Sequence, residues 1–95
     1  MRTILAIDPG LSGGVAVSWF GKTDCWAMPE TEGDLLERLR EIKRVAGLEG
    51  DELVCVLEEV SGFAGHAQPG SAMFRFGEHF GFIKGVVQAL EIRLV

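Results

Sequence analysis

The chain has 95 residues, a hydrophobic content of 47% and a formal net charge of −5, which favour one small folded domain with a modest core. The negative charge argues against a general polyanion-binding protein, because such proteins usually present a basic face. The apolar runs are too short to span a bilayer and the N-terminus has the pattern of a strand instead of a signal peptide. We therefore expect no membrane association and a cytoplasmic location.

Three apolar runs open the chain, and the short turns between them indicate an antiparallel meander. The predicted strands cover residues 3–8, 15–20 and 23–28. Pro9 and Gly10 end the first strand, and residues 12–14 (Ser-Gly-Gly) are expected to form a tight turn with positive φ values. Residues 21–22 (Gly-Lys) are the predicted hairpin turn between the second and third strands.

A helix and a strand follow the meander. Thr31 is a predicted N-cap with Asp34 at the capping-box position, and Gly47 is the predicted end of the helix. Its apolar stripe consists of Leu35, Leu39, Ile42 and Ala46. The continuous apolar run at residues 53–58 predicts a strand covered on both faces.

A Gly-rich loop at residues 61–70 leads to a second helix with Ser71 as its predicted N-cap. Six apolar residues of this helix recur at alternating spacings of three and four: Met73, Phe76, Phe80, Ile83, Val87 and Leu90. Such spacing is typical of a helix with one buried face. Residues 92–95 predict a final short strand, so the element order is βββαβαβ in a single domain spanning residues 1–95.

Asp8 and Glu58 each end a strongly apolar strand, where an unpaired buried carboxylate would be costly. If those strands are parallel neighbours, about 4.8 Å apart, both carboxylates emerge at one edge of the sheet. Two such groups suit Mg²⁺, which binds one or two carboxylates and keeps several waters. Glu59 points to the opposite face in a regular strand and is the weaker candidate. The alternative is that Asp8 only caps the following turn and Glu58 begins a solvated loop.

Cys25 and Cys55 lie within apolar strand runs without CxxC spacing, so we expect two reduced core thiols. Trp19 and Trp26 are expected to pack on the faces of the meander strands.

Three residues are candidate nucleic-acid contacts: Phe63 and His66, in the loop that follows Glu58, and Arg75, near the start of the second helix. An aromatic side chain there could stack on a base, and Arg75 is the best single candidate for a phosphate contact. The alternative for Phe63 is burial in the core. His66 and His79 lack partners at metal-ligand spacing, so we expect neither to bind a metal.

Four segments, in their order along the chain, resemble the RuvC-like branch of the RNase H-like superfamily, the Holliday junction resolvase type found in phages and bacteria. They are residues 4–10 (ILAIDPG) with residues 12–14 (SGG), Met28-Pro29 with Thr31, residues 57–60 (LEEV), and residues 73–77 (MFRFG) with Gly81 and Gly85. The resemblance spans nearly the whole chain. It implies an α/β fold with a mixed sheet in the strand order 3-2-1-4-5. The first three strands would form an antiparallel meander, and the fourth and fifth would run parallel to the first.

The same resemblance implies that Asp8 and Glu58 are catalytic ligands of a Mg²⁺ or Mn²⁺ site. RuvC-like enzymes complete this site with acids on a C-terminal helix, and this C-terminally shortened sequence shows only Glu91 after Glu78. Two-metal cleavage of a phosphodiester needs both ions clamped. The resemblance therefore implies a structure-selective DNA endonuclease scaffold with an incomplete site, weak metal binding, weak or no activity, and branched DNA as the candidate partner.

Three alternatives stay open. The first is a non-catalytic protein that uses this fold for self-association or partner binding, which the acidic composition favours. The second is a truncated piece of a longer enzyme. The third, an actin-like ATPase fragment, is disfavoured because no Thr/Ser-rich hairpin with a lysine follows the glycine turn.

A stripe of small residues along the second helix consists of Gly77, Gly81, Gly85 and Ala89. Interior glycines destabilise a helix by roughly 0.5–1 kcal/mol each relative to alanine. Three of them at this spacing therefore indicate a structural role. Close packing of the helix on the sheet is one explanation. Contact between the helices of a homodimer is the other, and the resemblance to dimeric resolvases favours it.

Overall fold

A computed structural model of the chain describes residues 2–10, 12–58 and 70–95. The elements are β1 (Arg2–Asp8), β2 (Gly14–Trp19), β3 (Lys22–Ala27), α1 (Glu32–Leu48), β4 (Glu52–Leu57), α2 (Gly70–Ala89) and β5 (Arg93–Leu94). The five strands form one sheet in the order β3-β2-β1-β4-β5. The predicted element order and strand order are both confirmed.

Strand β1 lies at the centre of the sheet and organises it. It pairs antiparallel with β2, which pairs antiparallel with β3. On its other side β1 pairs parallel with β4, and β4 pairs parallel with β5. The expected meander and the expected parallel strands are therefore present.

One face of the sheet carries the hydrophobic core. Alternate residues of β1, Thr3, Leu5 and Ile7, are buried there against the helices. The core cluster consists of Leu5, Ile7, Val15, Val17, Met28, Leu35, Leu39, Ile42, Cys55, Ile83, Val87 and Ile92. Thr3 is a buried polar residue, and its hydroxyl donates a hydrogen bond of 3.0 Å to Asp51. Both helices thus cover the same face.

The opposite face is exposed, which corrects the expectation that β4 is covered on both faces. Ile4 is 40% exposed and Val56 is 46% exposed, whereas Val54, between Ile4 and Arg93 in the sheet, is buried. By strand alternation and register this surface, the open face, comprises Arg2, Ile4, Ala6, Asp8, Ala16, Ser18, Thr23, Cys25, Glu52, Val54, Val56, Glu58, Arg93 and Val95.

Two turns differ from their predictions. Phe20 (φ 51°) and Gly21 (φ 76°) both have positive φ, as a two-residue type I′ hairpin requires, so the turn lies one residue earlier than expected. In the turn after β1 the positive φ belongs to Gly10 (106°). Gly13 is needed for a different reason, because a Cβ there would lie 1.9 Å from the carbonyl oxygen of Asp8.

Helix α1 begins as predicted and ends later. The side-chain oxygen of Thr31 accepts a hydrogen bond of 3.1 Å from the backbone N–H of Asp34, which is N-cap geometry. The predicted stop at Gly47 is wrong, because the helix continues to Leu48. The backbone N–H of Glu49 then closes it on the carbonyls of Gly47 and Val45.

Helix α2 begins at Gly70, so Ser71 lies inside its first turn and the prediction of Ser71 as the cap is wrong. Ile83 and Val87 of its predicted stripe are buried, whereas Met73 is 41% exposed. The described helices include none with the length and apolarity needed to cross a membrane.

Candidate metal and nucleic-acid site

The parallel pairing of β1 with β4 brings Asp8 and Glu58 together. Ile7 pairs with Leu57 in the register of the two strands. The ladder then continues with a hydrogen bond of 3.3 Å from the backbone N–H of Glu58 to the carbonyl oxygen of Ile7. Asp8 and Glu58 are the next residues on each strand, and both are exposed on the open face. The geometric expectation about these two residues is met.

The two carboxyl groups interact directly. A hydrogen bond to the Asp8 side chain, the negative charge of Asp8 and partial desolvation together raise the pKa of Glu58 above its ordinary value. Like charges this close repel unless a proton or a cation lies between them. The pair is therefore a place where a bound cation would lower the electrostatic energy of the folded chain.

The donor atoms fit a hard divalent cation only in part. Two carboxylates are the ligand type that Mg²⁺ and Mn²⁺ prefer. Among residues 2–10, 12–58 and 70–95, no group of three or more His, Cys, Asp or Glu side chains is placed to hold a metal ion. Asp8 and Glu58 could thus supply two ligands, and water or phosphate oxygens would have to supply the others.

A shallow groove of about 560 Å³ borders the carboxylate pair on the open face. Small or apolar side chains form most of its floor, among them Ala6, Ala16 and Val56. The sequence did not predict this surface. The run at residues 3–8 is apolar at both odd and even positions, so its pattern cannot distinguish a covered face from an open one.

Arg75 lies on the exposed surface of α2 beside a second cavity, of about 530 Å³. This cavity is also lined by Pro9, Gly10 and Ser12, the residues that follow Asp8. Arg75 is therefore close to the turn that carries Asp8, as a phosphate contact would need to be. Phe63 and His66 lie outside the described residues, as does Glu59.

His79, expected to be an ordinary residue, is half-buried and lines the same cavity. Its Nε2 atom is buried without a hydrogen-bond partner. His79 therefore lies at the cavity that Arg75 also lines, and it does not line the groove beside Asp8 and Glu58.

The glycine stripe of α2 is not packed on the sheet, which corrects the first explanation for it. Gly77, Gly81 and Gly85 are exposed, and a Cβ added at any of them would meet no atom within 4 Å. Phe74, on the same helix, is 70% exposed. The contact between helices of a homodimer stays a prediction.

The two cysteines differ in their surroundings. Both are free thiols, but Cys25 is exposed and only Cys55 is buried. The expectation of a core position for Cys25 is wrong, because its side chain lies on the open face. Trp19 and Trp26 do pack against the core cluster, as predicted. The guanidinium of Arg38 lies 4.5 Å from the ring centroid of Trp26, a contact that the sequence did not indicate.

Among the comparisons with known proteins, those with solved structures bear on the fold. No protein-family model matches the sequence, and no curated protein does. Among solved structures, T. thermophilus RuvC in complex with a Holliday junction substrate matches 99% of this chain with a TM-score of 0.56 and 14% identity. A second structure of Thermus thermophilus RuvC matches 98% of it with a TM-score of 0.50 and 16% identity. YeaZ from Pseudomonas aeruginosa aligns over 100% of the chain with a TM-score of 0.49 and 20% identity, covering 43% of its own chain.

The chain spans 62% and 61% of the two RuvC chains that it matches. At these identities the likeness shows the fold alone: the chain has a mixed α/β fold of the RNase H-like type.

Proposed function

We propose that the chain is a scaffold of the RuvC-like, metal-dependent, structure-selective DNA endonucleases, with an incomplete active site. The observation that carries the proposal is the convergence of Asp8 and Glu58 at the ends of two parallel strands. A pair of carboxylates at an exposed sheet edge, one of them with a perturbed pKa, is typical of catalytic sites. The RNase H-like fold supports the proposal, because the sequence resemblance that implies this fold also implies that Asp8 and Glu58 are metal ligands.

Asp8 and Glu58 would hold Mg²⁺ or Mn²⁺ through their carboxylate oxygens. Such an ion, when bound, stabilises the negative charge that develops on a reacting phosphodiester. Two protein ligands leave most of the coordination shell to water, so binding is expected to be weak and cleavage slow or absent. The chain's own contribution would be to fix the two carboxylates in register through the β1–β4 ladder.

Branched DNA is the proposed partner, in a cytoplasmic setting. One of the RuvC structures with this fold is bound to a Holliday junction substrate. Arg75 would contribute a phosphate contact beside the turn that carries Asp8. The net charge of −5 works against this binding, so we expect weak affinity that depends on the few cationic side chains in contact with phosphates.

The test compares cleavage of a four-way DNA junction with that of a linear duplex in Mn²⁺, for the parent, Asp8→Asn, and a control, Glu49→Gln. Glu49 is exposed at the end of α1 and precedes the start of β4, whereas Glu58 follows its opposite end. Cleavage of the junction that Asp8→Asn abolishes and Glu49→Gln preserves would support the enzyme. Titration calorimetry with Mn²⁺ alone provides a second readout. Heat that is equal for the parent and for Asp8→Asn would contradict the metal site.

A second candidate function is a non-catalytic protein that uses this fold to associate with itself or a partner. The exposed apolar centre of the open face favours it, since contiguous apolar surface of this kind usually marks an interaction site. If neither DNA cleavage nor the heat of Mn²⁺ binding depends on Asp8, the results would favour this non-catalytic function over the nuclease. A homodimer is proposed under either function.

A further inference from the structure

Strand β3 forms one edge of the sheet and can accept a further strand. In the described part of the chain it pairs with β2 alone. The backbone N–H of Met28, just after β3, donates a hydrogen bond of 3.1 Å to the carbonyl oxygen of Gly13. Backbone groups of successive residues in a strand point to opposite sides, so those of Asp24 and Trp26 also point toward β2. The residues whose backbone N–H and C=O groups point away from the sheet form the outer edge of β3: Thr23, Cys25 and Ala27.

Few features of β3 protect this outer edge. Exposed edges are usually protected by proline, by bulges or by charged side chains on short strands. The six residues of β3 include no proline and pair with β2 in unbroken register. Lys22 lies beside the hairpin turn, and the carboxylate of Asp24 accepts a hydrogen bond of 2.8 Å from the indole N–H of Trp19. The outer edge therefore offers three alternate residues for hydrogen bonds to an added strand.

A groove of about 820 Å³ lies beside the outer edge, between β3 and α1. Cys25, Trp26 and Ala27 line it from the strand. On the other side it is lined by the segment before α1 and by one face of that helix: Pro29, Glu30, Asp34, Glu37, Arg38 and Glu41. Side chains of a strand alternate between its two faces. A strand added at the outer edge would therefore direct every second side chain into this groove.

The groove is acidic. Its four carboxylates are exposed, and together with the one guanidinium of Arg38 they leave three net negative charges on the lining. Arg38 lies over Trp26, with its guanidinium 4.5 Å from the ring centroid. Glu41 accepts a hydrogen bond of 2.9 Å from Arg44, which is not part of the lining. The carboxylates left to meet cationic side chains of a ligand are those of Glu30, Asp34 and Glu37.

We propose that the outer edge of β3 binds an extended basic segment of a partner protein as an added antiparallel strand. Antiparallel pairing is slightly more stable per residue than parallel pairing, and strand addition is a recurrent mode of peptide recognition. The residue of the segment opposite Cys25 exchanges backbone hydrogen bonds with it. The residues opposite Asp24 and Trp26 carry lysine or arginine side chains into the groove, toward the acids of α1.

The charge of the groove selects a basic protein segment over the other occupants of a strand edge. A second copy of this chain that paired β3 with β3 would bring two acidic faces of α1 together, and like charges in contact oppose association. The phosphates of a nucleic acid would meet the same repulsion. The inference rests on the edge strand and its groove, and does not require the nuclease function.

The experiment measures the binding of labelled peptides to the parent chain by fluorescence anisotropy at low salt. The probe has about seven residues, the length of an ordinary strand, alternates threonine with lysine, and has blocked ends. It is expected to bind, and the same peptide with glutamate in place of lysine is not. N-methylation of the threonines removes the N–H groups that face the outer edge and should weaken binding at least about tenfold. N-methylation of the lysines spares those groups and should preserve binding.

Two variants with the same change of charge complete the test, each checked for folding by circular dichroism. Glu37→Lys, in the groove, should weaken binding of the threonine–lysine peptide at least about fivefold. Glu49→Lys, exposed at the end of α1 and outside the lining of the groove, should preserve it. The proposal is overturned if the parent does not bind the peptide at about 1 mM, if methylated threonines bind as well as unmodified ones, or if the two variants lose binding equally. The methylated peptides test the pairing on the parent chain, so that result does not depend on how a variant folds.

Discussion

The carboxyl group of Glu58 shares a hydrogen bond with Asp8, although the two residues belong to strands that are distant in the chain. The contact arises because β1 and β4 are parallel neighbours in matching register. In the absence of a cation the contact also destabilises the folded chain, because carboxyl groups ionise near neutral pH and the two negative charges then repel each other. Sites that hold like charges together commonly reduce the stability of the fold that carries them.

The first prediction is that Asp8→Asn raises the thermal stability of the metal-free chain at pH 7. The pKa of Glu58 is raised in the folded chain, so the folded state binds protons more tightly than the unfolded state. The free energy of unfolding should therefore fall as the pH rises from the ordinary carboxyl pKa through the raised one. Thermal denaturation in EDTA across pH 3–8 should show a gain for Asp8→Asn that shrinks below about pH 4, where carboxyl groups become protonated.

Glu52→Gln is the matched control and should act in the opposite direction. Its hydrogen bond to Arg93 and the charges of Arg2 and Arg93 lower the pKa of Glu52. Its stabilising contribution is present above the ordinary carboxyl pKa and is lost as the pH falls through the lowered one. An Asp8→Asn variant that is less stable than the parent at pH 7 would contradict the conclusion that the Asp8 and Glu58 carboxylates repel each other in the folded chain.

The sequence pattern predicted the fold well where periodicity and strand ends determine it. The stripe that includes Leu35, Leu39 and Ile42 is buried as its helical spacing indicates. The hairpin was misplaced because the turn requires a positive φ at Phe20, a conformation that bulky residues rarely adopt. The exposed side of the sheet was not predicted, because Ile4 and Val56 are as apolar as their buried neighbours.

The carboxylate pair could be predicted because both acids end apolar strands and parallel strands end at the same edge. The charged cluster of Arg2, Glu52 and Arg93 could not be predicted from the sequence. Its three residues meet only through the register of three strands that start far apart in the chain. The position of the cavity beside Arg75 likewise depends on how α2 lies against the turn at Gly10. A Cβ on Gly10 would lie 3.4 Å from the Phe76 ring.

The second prediction concerns the exposed glycines of α2. Gly81→Ala should stabilise the monomeric chain by about 0.5–1 kcal/mol, because alanine is the better helix former and the added Cβ meets no atom within 4 Å. Urea unfolding at low protein concentration measures the effect. Gly50→Ala has equal space but a φ of +71°, and should destabilise by about 1–2 kcal/mol. A loss of stability in Gly81→Ala would indicate that another surface approaches this helix.

The third prediction separates the two thiols. Cys55 lies on β4 and is buried in the hydrophobic core, and burial raises its pKa to about 11. Thiolate is the reactive form, so at pH 8 Cys55 should react slowly with a thiol reagent. Cys25 is exposed and should react at once. Ellman's reagent should titrate one thiol in the native chain and two in denaturant, and Cys25→Ser should remove the fast phase. Two fast thiols in the native chain would contradict the described burial of Cys55.

The last prediction tests Arg75 as a phosphate contact. Its side chain is exposed beside the turn that follows Asp8, where a DNA strand at the carboxylate pair would pass. Arg75→Ala should weaken binding to a four-way junction and reduce the slope of log affinity against log salt by about one. Fluorescence anisotropy over a salt series in Ca²⁺ measures both quantities. Arg40→Ala removes the same charge from the surface of α1, so it controls for the change in net charge. Equal effects of the two substitutions would show that Arg75 acts only through the overall field and makes no contact with a phosphate.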